Sequence, residues 1–275
     1  MMKSFIADKN CKLSHLATKK IENLSYGTLQ KSLRAKDVKV NGVRVKTDVM
    51  LSVGDKVEVY FKETAISKYA VIFRDENILV INKKSGFTSE EVFSEIQKTE
   101  SESYFIHRLD RNTDGIMIFA LNSIAEKELL VGFKERTFDK KYRATVFGKM
   151  PKKADILTAY LLKDSDSAEV KIFDSERAGA VKIKTGYEVI SEDEKTSLLS
   201  VTLYTGKTHQ IRAHLAHIGH FIVGDGKYGD NRFNKGYGAK SQMLTAYSLT
   251  LNFDKKSPLN YLDKKTFTIE QKGVK

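Results

Sequence analysis

The feature that most constrains the fold is a long series of short apolar strands with few helices between them. The strands are indicated by alternating or continuous apolar runs that end at turn-forming residues such as Asp75-Glu76-Asn77. The segments 123–133 and 209–218 are predicted to be helices, and Ser123 with Glu126 forms a capping box that opens the first. Strands that follow one another in this way favour an α+β fold over a series of βαβ units. The predicted strands of this region are 69–74, 78–82, 115–121, 140–147, 181–190, 198–204 and 244–253.

The first 61 residues have a different pattern, in which two short helices precede a hairpin. Asn41-Gly42 separates two Val-x-Val triplets, and Asn-Gly is a strong signal for a two-residue hairpin turn. Alternation along the hairpin places its valines on one face and Lys39 and Arg44 on the other. A strand is predicted to follow at 56–61. The predicted helices are 13–21 and 26–33.

The charge of the chain indicates a polyanionic partner. The net charge is +12 and the isoelectric point is about 9.4, which favours RNA, DNA or an acidic membrane surface. Half of the excess lies in residues 1–61, which hold 12 Lys or Arg against 6 Asp or Glu. No apolar run approaches the roughly 20 residues of a membrane span, so the membrane is the weakest of these candidates. We therefore predict a basic module at 1–61, a polar connector at 62–68 and a larger domain at 69–275.

Two polar segments of the larger domain place a carboxylate or a cation beside glycines that allow sharp turns. One contains His107-Arg108-Leu109-Asp110, and the other contains Gly206-Lys207-Thr208-His209-Gln210-Ile211-Arg212. From spacing alone, an Asp110–Arg212 pair could be a structural salt bridge. Together with Lys140-Lys141-Tyr142-Arg143, however, these segments resemble the RluA-type pseudouridine synthases in residue type and in order.

The resemblance implies an isomerase that detaches uracil from ribose within RNA and rejoins it through carbon, with no cofactor and no metal ion. It implies that Asp110 is the nucleophile, that Arg212 pairs with it, and that Tyr142 stacks on the uracil and is a candidate for proton transfer. Without the motif, a tyrosine in a strand would more often be half-buried packing. The implied catalytic domain is a mixed, largely antiparallel sheet with flanking helices, crossed by the active cleft.

Further roles and three departures follow from the same resemblance. Arg108 is implied to fill the gap left by a flipped uridine, because a planar guanidinium can stack between bases. Lys84 stands where the family usually has Pro, Asp114 where it usually has Ser, and Lys207 where Arg is frequent. An inward Asp114 would raise the pKa of the nucleophile, so we expect it to face outward. The other implied substrate- or RNA-binding residues are His107, Lys140, Lys83, Lys207, His209 and Gln210.

The N-terminal region resembles the alpha-L RNA-binding module of ribosomal and RNA-modifying proteins. Residues 38–45 and Val53-Gly54-Asp55 carry this second resemblance. It implies that the cations of the region face phosphates, whereas the alternative is a solvated basic face on a small folded unit. The cations are Lys31, Arg34, Lys36, Lys39 and Arg44.

Two other classes of function stay open. A non-catalytic RNA-binding or ribosome-assembly factor would share the charge and the module, but it would have no chemical reason to keep Asp110, Tyr142 and Arg212. A metal-dependent hydrolase would use His209, His214, His217 and His220, yet no Cys joins them and the His-Glu-x-x-His pattern is missing.

We expect large-subunit ribosomal RNA as the target, with transfer RNA second. The single cysteine, Cys11, cannot form an internal disulfide, which fits the reducing cytoplasm. We also expect a monomer that does not bind a membrane.

Overall fold

The computed structural model describes residues 2–21, 24, 26–61, 67–163 and 169–270. Two compact units divide the chain, Met1–Ser67 and Lys68–Lys275. Residues 62–66, which make up most of the predicted connector, lie outside the described residues. No helix in the described part of the chain is long and apolar enough to cross a membrane.

The first unit contains two helices and two antiparallel sheets. Its elements are β1 (Met2–Ile6), β2 (Cys11–Lys12), α1 (Leu13–Lys20), α2 (Tyr26–Arg34), β3 (Val38–Val40), β4 (Val43–Val45), β5 (Met50–Leu51) and β6 (Lys56–Tyr60). The larger sheet has the order β1–β6–β3–β4, and β2 pairs with β5. Leucines of both helices pack on valines of β3 and β6 to form one core. The predicted helices and strands of this region are confirmed to within two residues.

The hairpin of this unit forms as the Asn-Gly signal predicts. Asn41 and Gly42 both have positive φ, 50° and 82°, which is the requirement of the tight hairpin turn that matches strand twist. Lys39 lies directly opposite Arg44 in the register, so the two cations share one face. Val38 is buried and Val40 and Val45 pack against the core, whereas Val43 at the turn is 68% exposed.

The second unit is built on an eleven-stranded sheet with helices α3 to α6. Its elements are β7 (Tyr69–Arg74), β8 (Ile78–Lys83), α3 (Ser89–Ile96), β9 (Tyr104–Phe105), β10 (Asp114–Ala120), α4 (Ser123–Glu135), β11 (Asp139–Phe147), β12 (Ala154–Lys163), β13 (Val170–Phe173), β14 (Val181–Glu192), β15 (Thr196–Leu203), α5 (Gln210–His217), α6 (Asn231–Tyr237), β16 (Leu244–Thr250), a 3₁₀ helix (Asn260–Leu262) and β17 (Thr266–Thr268).

The sheet is largely antiparallel, as the predicted fold class requires. Its main path is β13–β12–β14–β15–β11–β16–β10–β8–β7, with β17 beside β16 and β9 beside β10. Only β10 and β16 are parallel neighbours among the described pairs. Their close approach depends on Gly115, which has φ +121° and whose ideal Cβ would lie 2.3 Å from the carbonyl oxygen of Ala246. The loop 106–113, which leads into β10 just before this glycine, is therefore fixed to the centre of the sheet.

Two predictions about local structure are corrected. The N-cap of α4 is Asn122 and not Ser123, because the Asn122 side chain accepts a hydrogen bond from the backbone of Ala125 at 2.8 Å. The elements that were not predicted are helices α3 and α6, the 3₁₀ helix, and strands β1, β2, β5, β9, β12, β13 and β17. Helix α3 nevertheless has a capping box in sequence, since Thr88 and Glu91 exchange hydrogen bonds at its N-terminus.

Candidate active site

A cleft of about 430 Å³ opens on the face of the sheet where the two polar segments meet. Asp110 and Thr113 come from the loop before β10, and Tyr142 comes from the central strand β11. His209 and Arg212 come from the N-terminal end of α5. The floor continues into the main core, where Leu109, Tyr142 and Ile211 are packed together with residues of β10, β15 and β16. The fold thus brings together residues that are separated by about 100 positions.

The loop that carries Asp110 is fixed on both sides. Ser89 is fully buried, and its hydroxyl accepts a bond from the backbone N–H of Leu109 and donates to the carbonyl of Leu109, both at 2.9 Å. Beyond Asp110, the backbone N–H of Thr113 donates to the Asp110 carbonyl, and the Thr113 hydroxyl accepts from Gln242 at 2.9 Å. The carboxylate is therefore presented by a rigid turn.

Arg212 bridges two carboxylates. Its Nη1 donates to Asp110 Oδ2 at 2.7 Å, while Nε and Nη2 form a bidentate pair with Asp225 at 2.7 and 3.0 Å. Burial acts to lower the pKa of Arg212, but Asp225 and then Asp110 raise it well above its ordinary value. The guanidinium is therefore always charged and is aimed at Asp110 by the buried Asp225.

Asp225 is a site residue that the sequence reasoning missed. Asp225 is 1% exposed, and besides Arg212 it accepts hydrogen bonds from the backbone of Lys227 and Tyr228. Burial alone would raise the pKa of this carboxyl, yet the bonds from Arg212 and the backbone hold it below its usual range. In the sequence, the glycine next to Asp225 indicates a tight turn at this point. The structure shows why glycine is needed there, since a Cβ on Gly224 would overlap the carbonyl oxygen of Ser241.

His209 lies between Asp110 and a second residue that was not predicted, Tyr228. Its Nε2 is 3.8 Å from Asp110 Oδ2, and its Nδ1 is 2.9 Å from the Tyr228 hydroxyl. Burial lowers the pKa of His209 in spite of the nearby Asp110 carboxylate. The imidazole is therefore neutral near pH 7.

Tyr142 is buried in the cleft wall. It sits in β11 opposite Val201 of β15 and Ala246 of β16, and only 9% of its surface is exposed. Burial, followed by the charge of Asp110, raises its pKa far above the ordinary value. The phenol is therefore protonated. Tyr142 packs in the core and also lines the cleft, so its position is compatible both with packing and with contact to the uracil.

Three residues predicted to contact substrate or RNA instead have internal partners. Lys83 is fully buried, and its Nζ donates to the carbonyls of Lys84, Phe87 and Arg111 at 3.2, 2.8 and 3.2 Å. Burial lowers the pKa of Lys83 to about 8. This placement corrects the predicted RNA contact of Lys83, because its ammonium binds carbonyls of the loop 84–87 and of the loop that follows Asp110 and so holds the two loops together. It also explains how the turn at Gly86 is held with Lys84 in the place of a proline.

Gln210 is likewise enclosed, with 2% of its surface exposed. Its amide donates to the Lys184 carbonyl and the Thr185 hydroxyl, and its oxygen accepts from the Thr205 hydroxyl and the backbone of Lys207. All its hydrogen-bonding capacity is used within the protein. Gln210 therefore fixes the start of α5 and does not reach RNA.

His107 lines the cleft but is a neutral structural group. Its Nε2 accepts a hydrogen bond from the backbone of Ile118 at 3.2 Å, and its ring stacks on Phe133 with centroids 4.4 Å apart. Burial and the charge of Lys140 lower its pKa to about 3. His107 therefore lines the cleft as a neutral ring that is packed against Phe133.

Cations surround the opening of the cleft. Arg108, Lys140 and Lys207 line it, and Lys134 and Arg136 join them from the end of α4. Arg136 has φ 59° as the C-cap of that helix. Burial lowers the pKa of Lys140, whose Nζ lies 5.3 Å from the Phe133 ring centroid. Arg108 is 3.6 Å from Glu90 in an exposed pair, which holds it only weakly.

Asp114 is not among the residues that line the cleft, in keeping with the expectation that it faces away from Asp110, but it is half-buried and not at the surface. Its Oδ1 accepts a hydrogen bond from the Thr245 hydroxyl at 2.7 Å, beside Arg143 and Asn82 in a separate small cavity. Burial raises the pKa of Asp114 against the effect of Thr245.

The histidines do not converge on a metal site. His209 faces Tyr228, His214 faces Thr185, His217 faces Asp174 and His220 faces the carbonyl of Phe147. Among the residues that the structure describes, no group of three or more His, Cys, Asp or Glu side chains could hold a metal ion.

The cations of the first unit lie mostly at its surface. Lys36, Lys39 and Arg44 line a shallow groove together with Tyr60, and the Lys39 ammonium is 5.6 Å from the Tyr60 ring centroid. Arg44 also donates to the carbonyl of Lys36 at 3.4 Å. Lys31 and Arg34 are on α2 and are not among the residues that line this groove.

Comparison with known proteins identifies the family. The model of the RNA pseudouridylate synthase family matches residues 77–217, half of the chain. A ribosomal large subunit pseudouridine synthase C of Vibrio cholerae is 28% identical over 250 residues, which cover 81% of this chain and 78% of that protein. The protein of the same name from Pasteurella multocida is 30% identical over 241 residues, which cover 78% and 74%.

Solved structures have the same fold. The human RNA pseudouridylate synthase domain containing 1 has a TM-score of 0.63 and 23% identity, with 76% of this chain and 93% of that chain covered. The human domain containing 4 has a TM-score of 0.56, also at 23% identity, with 66% and 84% covered. The chain therefore belongs to the RNA pseudouridylate synthase family of isomerases, and the RluA-type recognition is confirmed.

Proposed function

We propose that this enzyme converts uridine to pseudouridine in ribosomal RNA of the large subunit, with Asp110 as the nucleophile. The observation that carries the proposal is the chain Asp225–Arg212–Asp110, in which a buried pair aims a permanent cation at one oxygen of an accessible carboxylate. Such a cation attracts the carboxylate and fixes its orientation inside the cleft by a charge-assisted hydrogen bond.

The two oxygens of Asp110 differ in their surroundings. Oδ2 accepts from Arg212 Nη1, whereas no described residue donates a hydrogen bond to Oδ1. We assign Oδ1 to the attack on the bound nucleotide, because its lone pairs are not engaged. Oδ1 bonds to the ribose carbon as the glycosidic C–N bond breaks, and the uracil leaves with the electron pair on its nitrogen. The uracil turns, and the carboxylate leaves the ribose carbon when the new C–C bond forms. The base carbon then loses its proton to water and the freed nitrogen takes up one proton, so no oxidant or reductant is required.

Tyr142 is assigned to holding the uracil. Its ring offers a flat face at the cleft, and a raised pKa makes a phenol a poor general base. We therefore favour stacking and hydrogen-bond donation over proton abstraction by this residue. In this scheme Asp110 supplies the nucleophile, Arg212 orients it and Tyr142 holds the base, in keeping with the cofactor-free chemistry that the resemblance implies.

The cations at the opening of the cleft support RNA as the substrate. Arg108, Lys207 and Arg136 are exposed around the entrance, where phosphates on either side of a flipped nucleotide would pass. Arg108 is assigned to the space that the uridine leaves, since its exposed pair with Glu90 is easily exchanged for RNA. The groove with Lys39 and Arg44 in the first unit is assigned to RNA that lies outside the cleft.

The choice of ribosomal RNA rests on the names of the bacterial relatives, and transfer RNA is the second candidate. We place the enzyme in the cytoplasm as a monomer. The test is tritium release from base-labelled, unmodified ribosomal and transfer RNA in the presence of a chelator. Release from ribosomal RNA is expected. Release from transfer RNA alone would change the substrate, and tight binding with no release from either would favour an RNA-binding factor.

A further inference from the structure

Tyr228 contacts both groups that face Oδ2 of Asp110, although neither the sequence motifs nor the proposed chemistry gives it a role. Its hydroxyl is 2.9 Å from His209 Nδ1, and its ring centroid lies 5.2 Å from the Arg212 guanidinium carbon. Its backbone N–H donates to Asp225 at 3.1 Å. The turn that follows Gly224 thus supplies Asp225 to Arg212 and Tyr228 to His209.

The hydrogen bonds around Tyr228 select one tautomer of His209. The backbone N–H of Val170 donates to the Tyr228 hydroxyl at 3.0 Å and occupies one of its lone pairs. The hydroxyl proton is then best placed towards His209 Nδ1, which makes Nδ1 the acceptor and leaves the imidazole proton on Nε2. The other tautomer would turn the Nε2 lone pair towards the Asp110 carboxylate, which is repulsive.

The backbone of His209 supports a role for this side chain. His209 has φ 53°, a left-handed conformation that is costly for a residue other than Gly, Asn or Asp. It is the N-cap of α5, yet its side chain makes no capping bond. Gly or Asn would adopt this backbone at lower cost, so a requirement other than helix stability accounts for histidine here.

We propose that His209 is a positioning residue whose Nε2–H, fixed by Tyr228, closes onto Oδ2 of Asp110 when uridine enters the cleft. Arg212 and His209 would then both hold Oδ2, and Oδ1 alone would be presented to the nucleotide. The 3.8 Å separation in the free enzyme is longer than a hydrogen bond, and such contacts tighten in the complex with substrate. This inference rests on the proposed function, because it assigns the orientation of the proposed nucleophile.

Two substitutions at position 209 separate positioning from structure. The amide of His209→Gln can reach the place of Nε2, whereas the amide of His209→Asn can reach only the place of Nδ1. Asn tolerates left-handed backbone better than Gln does, so a merely structural role predicts that Asn is the better replacement. Positioning predicts the reverse, with Gln retaining at least about tenfold more single-turnover rate than Asn at saturating RNA.

Tyr228→Phe removes only the hydroxyl that fixes the tautomer. We expect kcat to fall about tenfold with KM unchanged, and we expect no change for the matched control Tyr247→Phe, whose hydroxyl contacts Ser200 on another part of the sheet. Nitrogen-15 NMR of histidine-labelled enzyme at neutral pH should show a proton on Nε2 of His209 in the wild type. Loss of that preference is expected in Tyr228→Phe.

A proton on Nδ1 in the wild type, or activity of His209→Asn equal to that of His209→Gln, would overturn the inference. The NMR measurement needs no turnover, so it stays informative if uridine is not the substrate. Failure of the proposed function would appear separately, as full activity of an Asp110 variant or as no activity on RNA.

Discussion

Replacing Asp225 by Asn tests how much the buried pair with Arg212 contributes. The substitution keeps the shape of the side chain and removes its charge, so Arg212 is left with one carboxylate where it had two. Asp225 and Arg212 are only 1% and 8% exposed, so solvent does not screen the pair. Breaking a buried ion pair by removing one partner costs about 3–5 kcal/mol, and we expect about 3 kcal/mol because the amide oxygen can still accept one bond.

The loss should depend on pH in a defined direction. The folded-state pKa of Asp225 lies below the ordinary value, so its charge stabilises the fold above an unfolded pKa of about 3.9. The difference between wild type and Asp225→Asn should therefore be complete above about pH 5 and should shrink as the pH falls through the lowered folded value. Urea unfolding at several pH values measures this difference.

Activity should fall as well, because Arg212 would no longer be aimed at Asp110. A displacement of about 1 Å at a reacting group can cost about 10²-fold, which is the loss we expect in single-turnover tritium release. Asp230→Asn is the matched control, since Asp230 caps α6 and Asn caps a helix equally well. If Asp225→Asn unfolded within about 0.5 kcal/mol of wild type and kept full activity, this account of the pair would be refuted.

Three further predictions concern the loops and the first unit. Gly115→Ala should lower the free energy of unfolding by about 3 kcal/mol or more, because the new Cβ would overlap the carbonyl of Ala246, and an unchanged urea midpoint would contradict this. Lys83→Met should cost about 2–3 kcal/mol of stability, because the carbonyls that Lys83 binds would lose their donor, while RNA affinity at low temperature is retained. A loss of RNA affinity without a loss of stability would instead support a direct contact between Lys83 and RNA. The double variant Lys39→Glu and Arg44→Glu should weaken RNA binding and reduce the slope of log affinity against log salt by about 1.5–2, and an unchanged slope would count against the groove.

The sequence was sufficient for most of the strands and for the two polar segments that meet at the cleft, because alternation and motif order do not depend on distant contacts. It did not distinguish a buried lysine from a binding lysine, since the three carbonyls around Lys83 come together only when two loops meet. Asp225 and Tyr228 were missed for the same reason, because their partners lie on α5 and β13. The capping error at α4 arose because Asn122 and Ser123 are adjacent good N-caps, and packing of the helix decides between them.

The most direct test of the central claim is a comparison of wild type with Asp110→Asn on the same large-subunit ribosomal RNA, measuring binding and single-turnover tritium release together. The substitution preserves the volume of the side chain and removes its nucleophilic charge. We predict no release by Asp110→Asn with RNA affinity close to that of the wild type. Substantial release by the variant would contradict the assignment of Asp110 as the nucleophile.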